Sequence, residues 1–333
     1  MTEYGTFASE PLFGLPLPDL WFALVFFMLG TFLFLDGFDF GAGALFWTRD
    51  DPAERETILA AIGPFWDGNE VWLVVFGGAL FAAFPAVYAN LFSRNYLLLF
   101  GVLGALILRG LAPEMYEQRH DPAWQRWWGR AFVAGSVLAP FLLGVFVANW
   151  LTGTGALVTA AGLVVGVAVV ALTVVSGVAF VRLKTRGELR ADVRRYGERA
   201  VVGYLLAVVA SLGALALSTP ALAAALVTVP VFALVGLSVA LAVGYVVALR
   251  SDQDLLALVA SALLTYGLVA VVALLLFPVV DPGASLSVDD AIVSTFPLNI
   301  MSVGAALLLP LVLTYFAVLY NAFSGPVEPT ESY

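Results

Sequence analysis

Four carboxyl residues lie where an apolar chain should carry none. Asp36 and Asp39 interrupt one long apolar run, in the string Leu35-Asp36-Gly37-Phe38-Asp39-Phe40-Gly41. Asp67 and Glu70 interrupt the next, in Pro64-Phe65-Trp66-Asp67-Gly68-Asn69-Glu70. Each pair is spaced i, i+3, which puts both members on one face of a helix. An ionised carboxylate held in hydrocarbon costs a few kcal/mol even on lenient insertion scales. Desolvation and mutual repulsion disfavour ionising all four, and no basic residue adjoins them in sequence. A carboxyl that exists in both protonation states suits a proton or ion pathway. The competing reading is structural: if the second helix starts at Pro64, Asp67 sits in its first turn and complements the helix dipole. Intramembrane acids are functional by default, which favours the pathway.

The elements that position these acids follow from composition. Of 333 residues, 62% are hydrophobic and 12% charged, about half the charged share of a soluble domain. The apolar residues fall in runs long enough to span a bilayer. Nine runs are expected as transmembrane helices: Leu20–Phe46, Ile58–Tyr88, Asn95–Met115, Trp128–Trp150, Ala156–Val181, Val201–Leu217, Leu222–Ala248, Leu255–Val280 and Leu298–Phe323. Pro220 parts the sixth from the seventh, and Asp281-Pro282-Gly283 closes the eighth. The first run follows Glu3, Glu10 and Asp19 rather than a basic segment, with no small-residue cleavage site after it, so no cleaved signal peptide is expected. On the first hairpin, Asp36 lies roughly 16 Å from Trp47 and Asp67 roughly 14 Å from Ile58 at 1.5 Å per residue. Asp36 and Asp67 are therefore expected to face each other at similar depth. Gly37 and Gly41, four apart, and Gly77-Gly78 are expected to permit close helix approach.

Basic residues orient the chain, because short exported loops avoid Lys and Arg. Arg49, Arg55, Arg109, Arg119, Arg126, Arg130, the Arg182–Arg199 cluster and Arg250 fall on one side of the nine-span arrangement, and Arg94 alone on the other. The N-terminus is thus expected outside and the C-terminus in the cytoplasm. The basic loop 182–199 divides the chain into 1–181, which holds the acidic motifs, and 182–333, within a single membrane domain. Arg109, near the end of the third span, is expected to snorkel to the interface rather than pair with Glu114. Trp124, Trp127, Trp128 and Trp150 read as interfacial anchors. The basic segment reads as a topology determinant rather than a lipid site. A single lysine and the net charge of −9 hint at a GC-rich or salt-adapted source.

With no cysteine and one histidine, His120, in a polar stretch, the chain offers no thiolate ligand and no histidine inside a span. Met28 and Met301 fall in apolar runs, where methionine is ordinarily packing. No metal site and no haem is expected in this chain alone.

The strings Asp36-Gly37-Phe38-Asp39-Phe40-Gly41 and Phe65-Trp66-Asp67-Gly68-Asn69-Glu70-Val71-Trp72, followed by Gly77-Gly78-Ala79-Leu80-Phe81-Ala82-Ala83-Phe84-Pro85, resemble subunit II of the cytochrome bd-type quinol oxidases. The match is close over the first hairpin; beyond it the resemblance rests on length, span number and apolar pattern. It implies an all-α integral membrane protein of two four-helix bundles plus one extra helix. It implies a subunit of a terminal oxidase that oxidises quinol and reduces oxygen to water, with no catalytic centre in this chain. Haems b558, b595 and d would belong to a partner, subunit I, in a heterodimer that small accessory subunits, membrane lipids and quinone can join; no nucleic acid is involved. The family implicates the acids matching Asp36 and Asp67 in proton delivery, with Asp39 and Glu70 as further candidates and Trp66, Asn69, Gly37 and Gly68 as their support. A proton-coupled secondary transporter is the alternative, its acids binding coupling ions at a repeat interface. Against it, the acids occupy only the first half, and spans five to nine carry almost no charge. A purely structural assembly subunit is the third reading.

Overall fold

The computed structural model describes residues 5–327. The described residues form fourteen α-helices: α1 (Gly5–Ser9), α2 (Leu17–Phe46), α3 (Pro52–Ile62), α4 (Trp66–Ala83), α5 (Pro85–Arg94), α6 (Tyr96–Glu117), α7 (Pro122–Thr152), α8 (Ala160–Lys184), α9 (Gly187–Ser218), α10 (Pro220–Leu226), α11 (Val229–Arg250), α12 (Asp254–Leu276), α13 (Val288–Ala291) and α14 (Thr295–Ala322). Eight of them, α2, α6, α7, α8, α9, α11, α12 and α14, are long and apolar enough to cross a membrane. The shortest have 22 residues, roughly 33 Å of helix against a hydrocarbon core of about 30 Å.

The second expected span, Ile58–Tyr88, is not one helix. Pro64 cannot continue α3, and Pro85 restarts the chain as the first residue of α5, so α3, α4 and α5 share the run. Consequently α4 starts at Trp66, and Asp67 lies in its first turn. The basic segment 182–199 is not a loop either. Helix α8 runs to Lys184 and α9 begins at Gly187, so most of the arginines extend α9 by three turns below its apolar part.

Helices α2 and α8 are apolar all round and bury most of their length, as a central helix must. Helix α2 packs on α4, α7, α8 and α12. Its contact with α8 is set by glycine: a Cβ on Gly41 would lie 1.9 Å from the Thr173 carbonyl oxygen, and one on Gly177 2.4 Å from the carbonyl carbon of Gly41. Gly37 has only the Thr173 methyl at 3.7 Å, and Gly77 and Gly78 meet nothing within 4 Å. Gly41 is therefore the close-approach residue, and neither Gly37 nor the Gly77-Gly78 pair serves that role. Trp150 also departs from expectation. It is fully buried, donates from Nε1 to the Val280 carbonyl at 2.7 Å and stacks on Phe26 at 5.3 Å, so it is a core residue and not an anchor.

Two apolar cores run along the molecule. The α2 residues from Leu17 to Leu33 belong to one and those from Ala42 to Phe46 to the other. Asp36 and Asp39 sit at the change-over.

Candidate proton-transfer site

The change-over holds a polar cluster drawn from four helices. Asp36 and Asp39 come from α2, Asn69 and Glu70 from the first turns of α4, Arg109 from α6 and Tyr320 from α14. Asp36, Asp39 and Asn69 are wholly buried and Arg109 is 1% exposed. Arg109 reaches this depth because Gly135 lets α7 press on the α6 backbone; a Cβ there would lie 2.6 Å from the Arg109 amide nitrogen.

Arg109 is the hub. Its Nη2 donates to Asp36 Oδ1 at 2.7 Å and to Glu70 Oε2 at 2.8 Å, so one nitrogen bridges carboxylates from two helices. Its guanidinium lies 4.9 Å from the Phe40 ring centroid and 5.6 Å from that of Trp66, at cation–π distance. Two sequence expectations are corrected here. Arg109 does not snorkel, and the acids do have a basic partner. A cation in mid-span whose stem is boxed by α7 gains more from two carboxylates than from the interface, and that partnership joins positions 39 and 73 residues apart. Asp39 is held differently. Asn69 Nδ2 donates to its Oδ2 at 2.9 Å, and Tyr320 donates to Asn69 Oδ1 at 2.8 Å. Asp36 Oδ2 and Asp39 Oδ1 are buried without a hydrogen bond.

Of the residues expected at the site, Asp36, Asp39, Glu70, Asn69 and Trp66 come together. Asp67 does not join them. It is exposed on the first turn of α4, where Pro64 and the helix start leave it, so Asp36 faces Arg109 rather than Asp67. A Cβ on Gly68 would lie 3.8 Å from the Phe316 ring, an ordinary contact distance, so no close approach depends on this glycine. Arg109 and Tyr320 are the members that sequence reasoning missed. An arginine inside an apolar run is itself a signal of a buried partner; a tyrosine near a span end carries no such signal.

A second ionic cluster, centred on the buried Arg182 and Asp254, ties the other half together. Arg182, 1% exposed, donates to Asp254 Oδ1 at 2.8 Å and to Asp252 at 2.9 Å, and Arg190 reaches the other oxygen of Asp254 at 2.8 Å. On the opposite end, Arg94 pairs with the fully buried Asp281 at 3.1 Å, joined by Asn90 at 3.2 Å.

The donor set does not fit a haem. His120 is exposed in the turn between α6 and α7, and Met28 is packed in the apolar core. Among the described residues no three His, Cys, Asp or Glu side chains group to hold a metal.

The profile of the family described as cytochrome bd terminal oxidase subunit II matches residues 17–323. The cytochrome bd-I ubiquinol oxidase subunit 2 of Escherichia coli K12 is 31% identical over 94% of this chain and 95% of its own length. The cytochrome bd ubiquinol oxidase subunit 2 of Bacillus subtilis is 31% identical over 95% and 98%. In fold, the chain is similar to the bd oxidase of Geobacillus thermodenitrificans, with a TM-score of 0.75, 16% identity and coverage of 92% of this chain and 98% of that one. The relatives span essentially the whole chain, the motifs carrying the buried acids lie inside the matched region, and the chain belongs to the cytochrome bd terminal oxidase subunit II family.

Proposed function

We propose that this chain works as the haem-free half of a quinol-oxidising bd-type complex, and that its buried acidic cluster passes protons toward the partner's oxygen-reducing haem. In this reading subunit I carries haems b558, b595 and d and oxidises quinol. This chain supplies the scaffold and the proton path. Nine crossings in two four-helix bundles plus one helix, with α3 to α5 together making the second, suit the order of apolar helices. The chain lies in the cell membrane with its N-terminus outside and C-terminus in the cytoplasm. Membership of an oxidase subunit family gives no support to the transporter alternative.

One observation carries the proton reading. Glu70 is one-third exposed while its carboxylate shares the Arg109 nitrogen with the fully buried Asp36. Glu70 therefore connects the protein surface to the buried acids, and Asp67, one turn earlier on the same helix face, extends the connection outward. The two wholly buried carboxyls, Asp36 and Asp39, and the Arg109 guanidinium would leave a formal charge of −1 if all were ionised. An uncompensated buried charge costs several kcal/mol, which a proton delivered to these two relieves. Arg109 does not give up its own proton. It holds Glu70 and Asp36 on either side of one nitrogen and balances the charge as a proton moves from one to the other.

The test is oxygen consumption per haem in the purified complex. Glu70→Gln and Asp36→Asn are expected to lower turnover by about tenfold or more with haem content kept. Asp39→Asn and Asp67→Asn are expected to lower it less, since neither touches Arg109. Normal turnover per haem in Glu70→Gln and Asp36→Asn would reject the path, and haem and activity falling in parallel would mark the acids as structural.

A further inference from the structure

Away from the acidic cluster, a pocket of about 200 Å³ opens where the end of α2, the start of α3 and the start of α7 meet. Phe46, Trp47 and Val133 give it apolar walls; Arg55, Arg126 and Arg130 give it three guanidinium groups, against one carboxyl, the exposed Asp50. Arg126 and Arg130 are spaced i, i+4, so both project from one face of α7. Among the described residues none of the three arginines makes an ion pair, although acids neutralise Arg49, Arg94, Arg109, Arg182, Arg190 and Arg250. The buried Nε of Arg55 has no hydrogen-bond acceptor, while its guanidinium lies 5.3 Å from the Phe46 ring centroid. The pocket is therefore a concentration of unspent positive charge with one donor already desolvated.

Its depth says what can reach it. Trp47, which lines the pocket, is 63% exposed, Trp127, next to Arg126 on α7, is 71% exposed, and exposed tryptophans of a membrane protein settle at headgroup level. Guanidinium forks match phosphate oxygens in pairs, which an ammonium does not. We infer that this pocket binds a phosphate group at the membrane surface, that of an anionic phospholipid headgroup, with Arg55, Arg126 and Arg130 as its donors and the Trp47 and Val133 walls against the lipid's glycerol and first acyl carbons. Free inorganic phosphate shares the recognised chemistry and is the other source to separate.

The experiment titrates the purified two-subunit complex in a neutral detergent with short-chain phosphatidylglycerol, short-chain phosphatidylcholine or inorganic phosphate, read by calorimetry. Phosphatidylglycerol is expected to bind at least about tenfold more tightly to the native complex than to R126Q/R130Q, and to weaken as salt is raised. Lysine at both positions keeps the charge but not the fork and is expected to fall between. Asp50→Asn removes the opposing charge and is expected to tighten binding, a gain that misfolding cannot imitate. Tighter binding of phosphatidylglycerol than of inorganic phosphate supports the lipid source; equal affinity keeps the phosphate site and assigns it to the free ion. No binding of either, equal binding by the native complex and R126Q/R130Q, or no tightening in Asp50→Asn would overturn the proposal.

Discussion

Arg109 shows how much one residue can change the meaning of its neighbours. Without it, Asp36 and Glu70 sit on separate helices with no common partner; with it, they share a donor at 2.7 and 2.8 Å. Its replacement by leucine leaves Asp36 and Glu70 uncompensated, a loss of about 3–5 kcal/mol for breaking a buried pair. Arg109→Leu is expected to give little assembled complex, measured as haem recovered per milligram of membrane protein. Lysine keeps the charge but cannot sit between the Phe40 and Trp66 rings with the same planar fork, so Arg109→Lys is expected to assemble with reduced turnover. Full assembly of Arg109→Leu would show that the acids are already neutral without the guanidinium. The acids themselves were legible in the sequence because carboxyls in apolar runs have few explanations. Their partner was not, since the 73 residues from Asp36 to Arg109 hide which helices adjoin.

At the scale of the helix, proline and glycine decide more than hydropathy does. The apolar run at 58–88 reads as one span, yet Pro64 and Pro85 cut it into three helices and thereby lift Asp67 from the interior to an exposed first turn. That cut was visible as residues, and the reading that starts the helix at Pro64 puts Asp67 in a first turn as found; the choice between the two readings was not visible, because proline kinks some membrane helices and ends others. Asp51 and Asp121, each followed by proline, cap the starts of α3 and α7, several residues before the expected spans from Ile58 and Trp128 begin. Close approach was misassigned among glycines, since spacing alone cannot say which face meets α8. Gly41→Ala is expected to separate α2 from α8 and cost the complex its stability, because the new Cβ would lie 1.9 Å from a carbonyl oxygen. Gly77→Ala meets nothing within 4 Å and is expected to leave yield and thermal stability of the purified complex nearly unchanged. Thermal inactivation midpoints of the two variants check the contrast; equal behaviour would refute it. The junction of α11 and α12 adds a pH dependence. Arg182 hydrogen-bonds the exposed Asp252, with Arg190 close by, and together they hold its carboxyl below the usual range. A depressed carboxylate contributes stability that is complete above its ordinary pKa of about 4 and is lost as pH falls through the lowered value. Asp252→Asn should therefore weaken this junction at neutral pH and leave less to lose under acid, read as hydrogen exchange at the α11–α12 turn.

For the molecule as a whole, the apolar helices and the bias of arginine were readable from the start, because membrane insertion tests each segment nearly on its own. A reporter fused after the C-terminus is expected to read as cytoplasmic and one inserted between Asp281 and Asp290 as external; the reverse at either place would reject the orientation. What could not be read is how the ends close on each other. Asn299 of α14 donates to the Phe7 and Glu10 carbonyls at 2.7 and 2.9 Å and accepts from Leu12 at 2.9 Å. Trp21 donates to Ser302 at 2.9 Å, and Tyr320 of the same helix completes the hydrogen bonds around Asn69. Since α14 is made after every helix it fastens, residues 7–12 and the Asn69–Asp39 pair wait for it before they have their partners. A nascent chain stalled before Thr295 holds its buried acids without their tyrosine, and its first turn without the asparagine that fastens it. Synthesis of α14 is thus itself the step that seals the cluster, and a subunit ended before it would leave the Phe7–Leu12 turn untied.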